Sequence, residues 1–250
     1  MSPAGDRESE VAEALAAMKS RLAVAAAAAG RNVEDIELLP VTKLFPATDV
    51  AILYRLGCQA VGESRDQEAS AKIRDVAELL GPTPRPLQWH MVGQIQRNKA
   101  RSLADWAHTI HSVSSTQVVH ALARAVGAAL AEGRRGCPMR VYVQVSLDGD
   151  VSRGGVDIAQ PAAVDEVCAQ VEASESLQFV GLMGIPPLAW DPEIAFARLQ
   201  AEHERVRRAH PDAVGLSAGM SNDLEYAVKH GSTCVRVGTA ILGQRPLPSP

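Results

Sequence analysis

Short apolar runs alternate with longer helix-patterned stretches along most of this chain. The runs read "IELLPVT", "QAVG", "LQWHMVG", "HTIHSV", "RVYVQVSL", "QFVGLMGI", "AVGLSAG" and "TCVRVG", and each is short enough for a buried strand. Between them lie the helical stretches 47–56, 66–80, 115–132, 161–174, 192–209 and 222–230. Ahead of the first run, residues 1–30 read as an amphipathic helix stopped by Gly30. Such alternation predicts a parallel sheet packed under helices, because parallel strands need long crossover connections. Eight units in 250 residues fit one α/β domain over 1–250, a closed (β/α)8 barrel with an extra N-terminal helix and a proline-rich tail at 246–250. An open doubly wound sheet is the alternative. No G-x-G-x-x-G follows the first strand, which weakens the dinucleotide-binding version of that fold.

A barrel gives strand ends a meaning, since ligand sites lie at the C-terminal ends of the strands and a phosphate site often follows strands seven and eight. The first strand ends "PVTKLFP", placing Lys43 where an apolar strand meets a helix start. A lysine against low-dielectric walls becomes a usable amine nucleophile, whereas one reaching solvent from the rim does not. In "LQWHMVG", His90 faces opposite to Trp89 and Met91, toward the lumen, either as a satisfied core histidine or beside a ligand ring. The basic "QRNKAR" after it reads as a solvated helix start.

In "VGLSAGMSNDLEYA", Ser217, Gly219 and Ser221 surround a turn into a helix, with Ser221 as the expected N-cap. The reading is an ordinary capped helix or a set of N–H groups that hold phosphate oxygens. Asp223 and Glu225 count against an anion there unless they point away. In "TCVRVG", Cys234, Arg236 and Gly238 share one face and Val235 and Val237 the other. The valines suit an outer layer of helices, so Arg236 points inward and needs a carboxylate or a polar ligand. Gly238 permits close backbone approach and Thr239 adds a hydroxyl.

Composition narrows the classes. Net charge is −4, so no basic field points to nucleic acid. Cys58, Cys137, Cys168 and Cys234 form no C-x-x-C pair, which suits reduced thiols better than disulfides or a metal site. The alanine run before Gly30 is too short for a bilayer and lacks the order of a secretory signal. The expectation is a cytoplasmic monomer with no membrane, metal or nucleic-acid partner.

A lysine, an inward arginine and a phosphate corner together suit a small ligand with a carbonyl, a ring and a phosphate. Pyridoxal 5′-phosphate (PLP) has all three. The stretches "PVTKLFP", "VGESRDQEASAK", "QWHMVGQIQRNKAR", "VSLDGDVSRGGV", "GLMGIPP" and "LSAGMSNDLEYAVKHGSTCVRVGTAILG" also resemble the pyridoxal phosphate homeostasis protein family, which is related to the barrel domain of alanine racemase, a fold type III PLP protein. The resemblance implies that Lys43 forms the internal aldimine and that Arg236 contacts the pyridine nitrogen. It further implies that Ser217, Met220, Ser221, Gly238 and Thr239 build the phosphate site and that His90 lies near the cofactor. It departs at Ser64, where the family often has asparagine, and at Ala218, where many members have methionine.

The function this implies is intracellular PLP homeostasis: PLP held on Lys43 and released to apo-enzymes or amines, without robust turnover. A PLP-dependent amino-acid racemase is the competing reading. Racemisation needs a second acid–base group opposite the lysine. In alanine racemases it is a tyrosine from a second domain of the partner subunit; here no such domain is expected after the barrel, and the sequence holds three tyrosines, Tyr54, Tyr142 and Tyr226. A PLP-free barrel that binds a sugar phosphate is a third reading.

Overall fold

The computed structural model describes residues 3–244, so the proline-rich tail at 246–250 lies outside the described residues. The barrel strands are β1 (Glu37–Pro40), β2 (Ala60–Glu63), β3 (Gln88–Met91), β4 (Thr109–Val113) and β5 (Met139–Ser146), followed after the short β6 (Val156–Asp157) by β7 (Leu177–Gly184), β8 (Gly215–Ser217) and β9 (Cys234–Val237). All pairings are parallel, in the order β1-β9-β8-β7-β5-β4-β3-β2, with β6 beside β5 off this path. A bridge between Val41 and Gly62 and a Thr42 N–H bond to Gly62 O (2.9 Å) close the ring between β1 and β2. The barrel, not the open sheet, is therefore the architecture.

Helices α2 (Ala47–Arg55), α3 (Asp66–Leu80), α4 (Ala100–Trp106), α5 (Thr116–Ala131), α6 (Pro161–Glu172), α7 (Pro192–Arg207), α8 (Leu224–Lys229) and α9 (Thr239–Leu242) follow the strands. The basic run after β3 does begin a helix, through one 3-10 turn at Arg97–Lys99 that leads into α4. Helix 222–230 is shorter than expected. It starts at Leu224 after a turn, so Ser221 is not its N-cap; Asp223 holds the preceding position.

The N-terminal helix, α1 (Pro3–Ala28), buries Val11, Leu15, Met18, Leu22, Ala25 and Ala26, one stripe at three- and four-residue spacing. It ends as Gly30 takes φ 65° and Arg31 N–H returns to Ala26 O. Its stripe packs with Val235, Val237, Leu224, Val228 and Ile241, so α1 backs the last two units of the barrel. Among the described residues no helix is long and apolar enough to cross a membrane.

Candidate functional site

The alternation in β9 decides where its charge goes. Val235 and Val237 enter the outer apolar layer, which leaves Cys234 and Arg236 facing the lumen. Arg236 is 6% exposed, and burial lowers its guanidinium from the ordinary value. A buried charge of this kind requires compensation. Among the described residues it has two hydrogen-bond acceptors, Ser217 Oγ at 2.6 Å and Gly184 O at 3.2 Å, and neither is a carboxylate.

Behind Ser217 stand two buried histidines. Ser217 Oγ lies 2.7 Å from His111 Nδ1, and His111 Nε2 lies 3.1 Å from His90 Nδ1. Burial, more than neighbouring charge, pushes His90 down to about 3 and His111 well below its usual range, so both are neutral near pH 7. The network assigns the protons. Arg236 can only donate, so Ser217 accepts from it and passes its own hydrogen to His111 Nδ1. Neutral His111 then donates from Nε2 to His90 Nδ1. Among the described residues, Nε2 of His90 has no hydrogen-bond partner.

A cavity of about 360 Å³ opens at the C-terminal ends of β1, β8 and β9. Lys43, Met220, Ser221, Arg236, Gly238 and Thr239 line it, with Ile185, Leu188 and Asp223. His90 and Ser217 do not reach its surface; they stand behind Arg236 and are fully or nearly fully buried. Lys43 is half-buried in the turn that follows β1.

The turn after β8 is built by glycine and by α1. Gly219 has φ 92°, and a Cβ there would stand 2.5 Å from Ala227 Cβ, so no other residue fits without movement. Arg21 of α1 donates to Ser221 O at 2.6 Å and pairs with Glu225 at 2.5 and 2.7 Å. Glu225 thus points away from the cavity. Asp223 does not, because it accepts from Met220 N–H at 2.6 Å while lining the cavity wall. An N–H of this turn is therefore already aimed at an anionic oxygen. Gly238 has a structural reason as well: a Cβ would meet Val41 O at 3.3 Å, where β9 leaves the sheet beside β1.

Sequence reading passed over His111, although Ile110 on the opposite face of β4 points it inward. It also passed over Glu63, Glu68 and Lys72, which meet beside Lys43. A second cavity, about 660 Å³ at the ends of β2 and β3, is lined by Ser64, Glu68, Gln94 and Lys99. The smaller cavity is the better candidate because it joins a lysine, a buried arginine and a turn of N–H groups.

The family model for the alanine racemase N-terminal domain matches residues 14–246. A pyridoxal phosphate homeostasis protein from Mycobacterium leprae is 68% identical over 249 residues, covering 98% of this chain and 97% of that protein. The chain belongs to the pyridoxal phosphate homeostasis protein family. A second member, from Mycobacterium tuberculosis H37Rv, is 70% identical over 249 residues, covering 98% of this chain and 96% of that protein. Among solved structures, PipY of Synechococcus elongatus PCC7942 with PLP bound superposes at a TM-score of 0.78 with 31% identity, covering 93% of this chain and all of that one (100%). Membership in this family accounts for the barrel.

Proposed function

We propose that this chain binds PLP in the cavity between β1, β8 and β9, holds it as a Schiff base on Lys43, and yields it to acceptors in intracellular PLP homeostasis. The observation that carries the reading is that Lys43 and Arg236 line one small cavity, with the guanidinium buried and, among the described residues, no carboxylate bonded to it. That is an incomplete environment for a charge, and a ring nitrogen or another ligand acceptor completes it. The PLP-bound relative and the naming of the family support the same choice.

PLP supplies an aldehyde able to condense with a primary amine. The protein's residues do the rest. Met220, Ser221, Gly238 and Thr239 surround the phosphate end, with backbone N–H groups as the main donors. Ser217 and His90 act from behind, by fixing Arg236. Arg236 donates a hydrogen bond but gives up no proton, because a guanidinium stays charged at ordinary pH. Arg236 would therefore leave a ring nitrogen bonded to it unprotonated, and the site would stabilise negative charge at carbon less well.

The tyrosines argue the same way against a racemase. Tyr142 is buried and stacks on His111, and burial pushes its phenol above the usual range. Tyr54 donates to Arg85 O, and Tyr226 lines a separate groove against α1. None lines the Lys43 cavity. The test is transfer of PLP from the loaded protein to an apo-enzyme, run beside single-enantiomer amino acids in deuterated water. Transfer without α-hydrogen exchange is expected. Exchange that disappears in Lys43→Ala would make the protein an enzyme instead.

A further inference from the structure

Lys43 lies between two peptide groups that one buried ion cluster holds. On its N-terminal side, Lys72 Nζ donates to Thr42 O at 2.8 Å, and Thr42 Oγ1 donates to Glu63 Oε1 at 2.6 Å. On its C-terminal side, Leu44 N–H donates to Glu68 Oε1 at 2.5 Å. Lys72 Nζ ties the two halves together, 2.7 Å from Glu63 Oε1 and 3.0 Å from Glu68 Oε1. The Lys72 side chain is 6% exposed and that of Glu63 is 0%. Burying these groups is expensive, and replacing such a cluster with apolar side chains is often neutral or stabilising. Stability alone is therefore a poor reason for its presence.

The backbone at this point supplies a better one. Leu44 has φ 66°, and among the described residues it is the single non-glycine with positive φ. That conformation crowds Cβ against the backbone and persists only where surrounding contacts impose it. Leu44 is 44% exposed, so packing does not impose it. Two bonds hold it instead: Phe45 N–H closes the turn on Thr42 O at 3.0 Å, and Leu44 N–H is fixed from outside by Glu68.

We propose that Glu63, Glu68 and Lys72 form a clasp that holds the Thr42–Leu44 turn in its strained conformation and so aims the Lys43 amine at an aldehyde in the cavity. These are positioning residues, and the inference rests on the reading of Lys43 given above. Its chemical consequence is selective: the clasp favours ligands that bond covalently to Lys43 and does nothing for those that cannot.

The experiment compares PLP with pyridoxine 5′-phosphate, which keeps the ring and phosphate but has no aldehyde. Glu68→Ala is the first variant, because its side chain is partly exposed and Lys72 retains Glu63 and Thr42 O. The Kd for PLP should rise about tenfold, the loss expected for one charge-assisted hydrogen bond. The Kd for pyridoxine 5′-phosphate should stay within about twofold of wild type. Adding Leu44→Gly to Glu68→Ala should recover much of the PLP affinity, since glycine adopts this φ without support. Equal losses for both ligands, no loss for PLP, or no recovery with glycine would each overturn the clasp. A wild type that binds both ligands equally and traps no PLP on borohydride reduction would instead remove the covalent role of Lys43, and the clasp with it.

Discussion

Arg236 Nη1 donates to Ser217 Oγ across 2.6 Å, and Ser217 joins that guanidinium to a pair of neutral histidines. The serine is 0% exposed and lies outside the cavity lining, so its hydroxyl serves the arginine rather than a phosphate. Ser217→Ala should leave Arg236 with Gly184 O as its remaining acceptor among the described residues. Loss of a hydrogen bond to a buried charge should lower stability by about 1–3 kcal/mol, read from urea unfolding. Affinity should fall for PLP and pyridoxal alike, because the change lies at the ring end. A selective loss for PLP would return Ser217 to the phosphate site.

The histidine pair gives the protein an acid-sensitive core. His90 is held near 3 in the fold, against about 6.5 in the unfolded chain. Between those values the unfolded chain binds the extra proton, so stability falls as pH drops through that window and is fully present above it. Each such histidine contributes a slope of up to about 1.4 kcal/mol per pH unit. Asparagine can place an amide where His90 Nδ1 meets His111, without a titrating group. Urea unfolding of His90→Asn and wild type between pH 4 and 7 should show a shallower slope for the variant. Parallel slopes would mean that His90 is protonated in the fold.

Asp223 places a carboxylate beside the turn assigned to phosphate, on the N–H of Met220. An asparagine at this position would keep an oxygen for that N–H but remove the charge. Asp223→Asn should therefore tighten PLP binding several-fold and leave pyridoxal, which has no phosphate, nearly unchanged. Weaker PLP binding would show that the carboxylate shapes the turn more than it repels an anion.

The barrel was legible because each strand is a short apolar run and each crossover a helical one. Arg236 was legible for a local reason: valines on both sides leave one direction for its side chain. The short helix α8 was placed too early because Ser221 resembles an N-cap, whereas Asp223 takes that position and Arg21 secures Ser221 O. The Lys72 cluster was not legible. Glu68 and Lys72 are four apart on α3 and read as a surface pair, while Glu63 comes from β2 and Thr42 from the turn after β1. Their meeting depends on β1 and β2 closing the barrel, which no local pattern encodes.

The central claim is the covalent tether, and borohydride reduction of the PLP-loaded protein followed by peptide mass mapping tests it most directly. A single phosphopyridoxyl adduct on Lys43, absent in Lys43→Ala, is the predicted result. An adduct on another lysine, or none in a protein that still binds PLP, would contradict it.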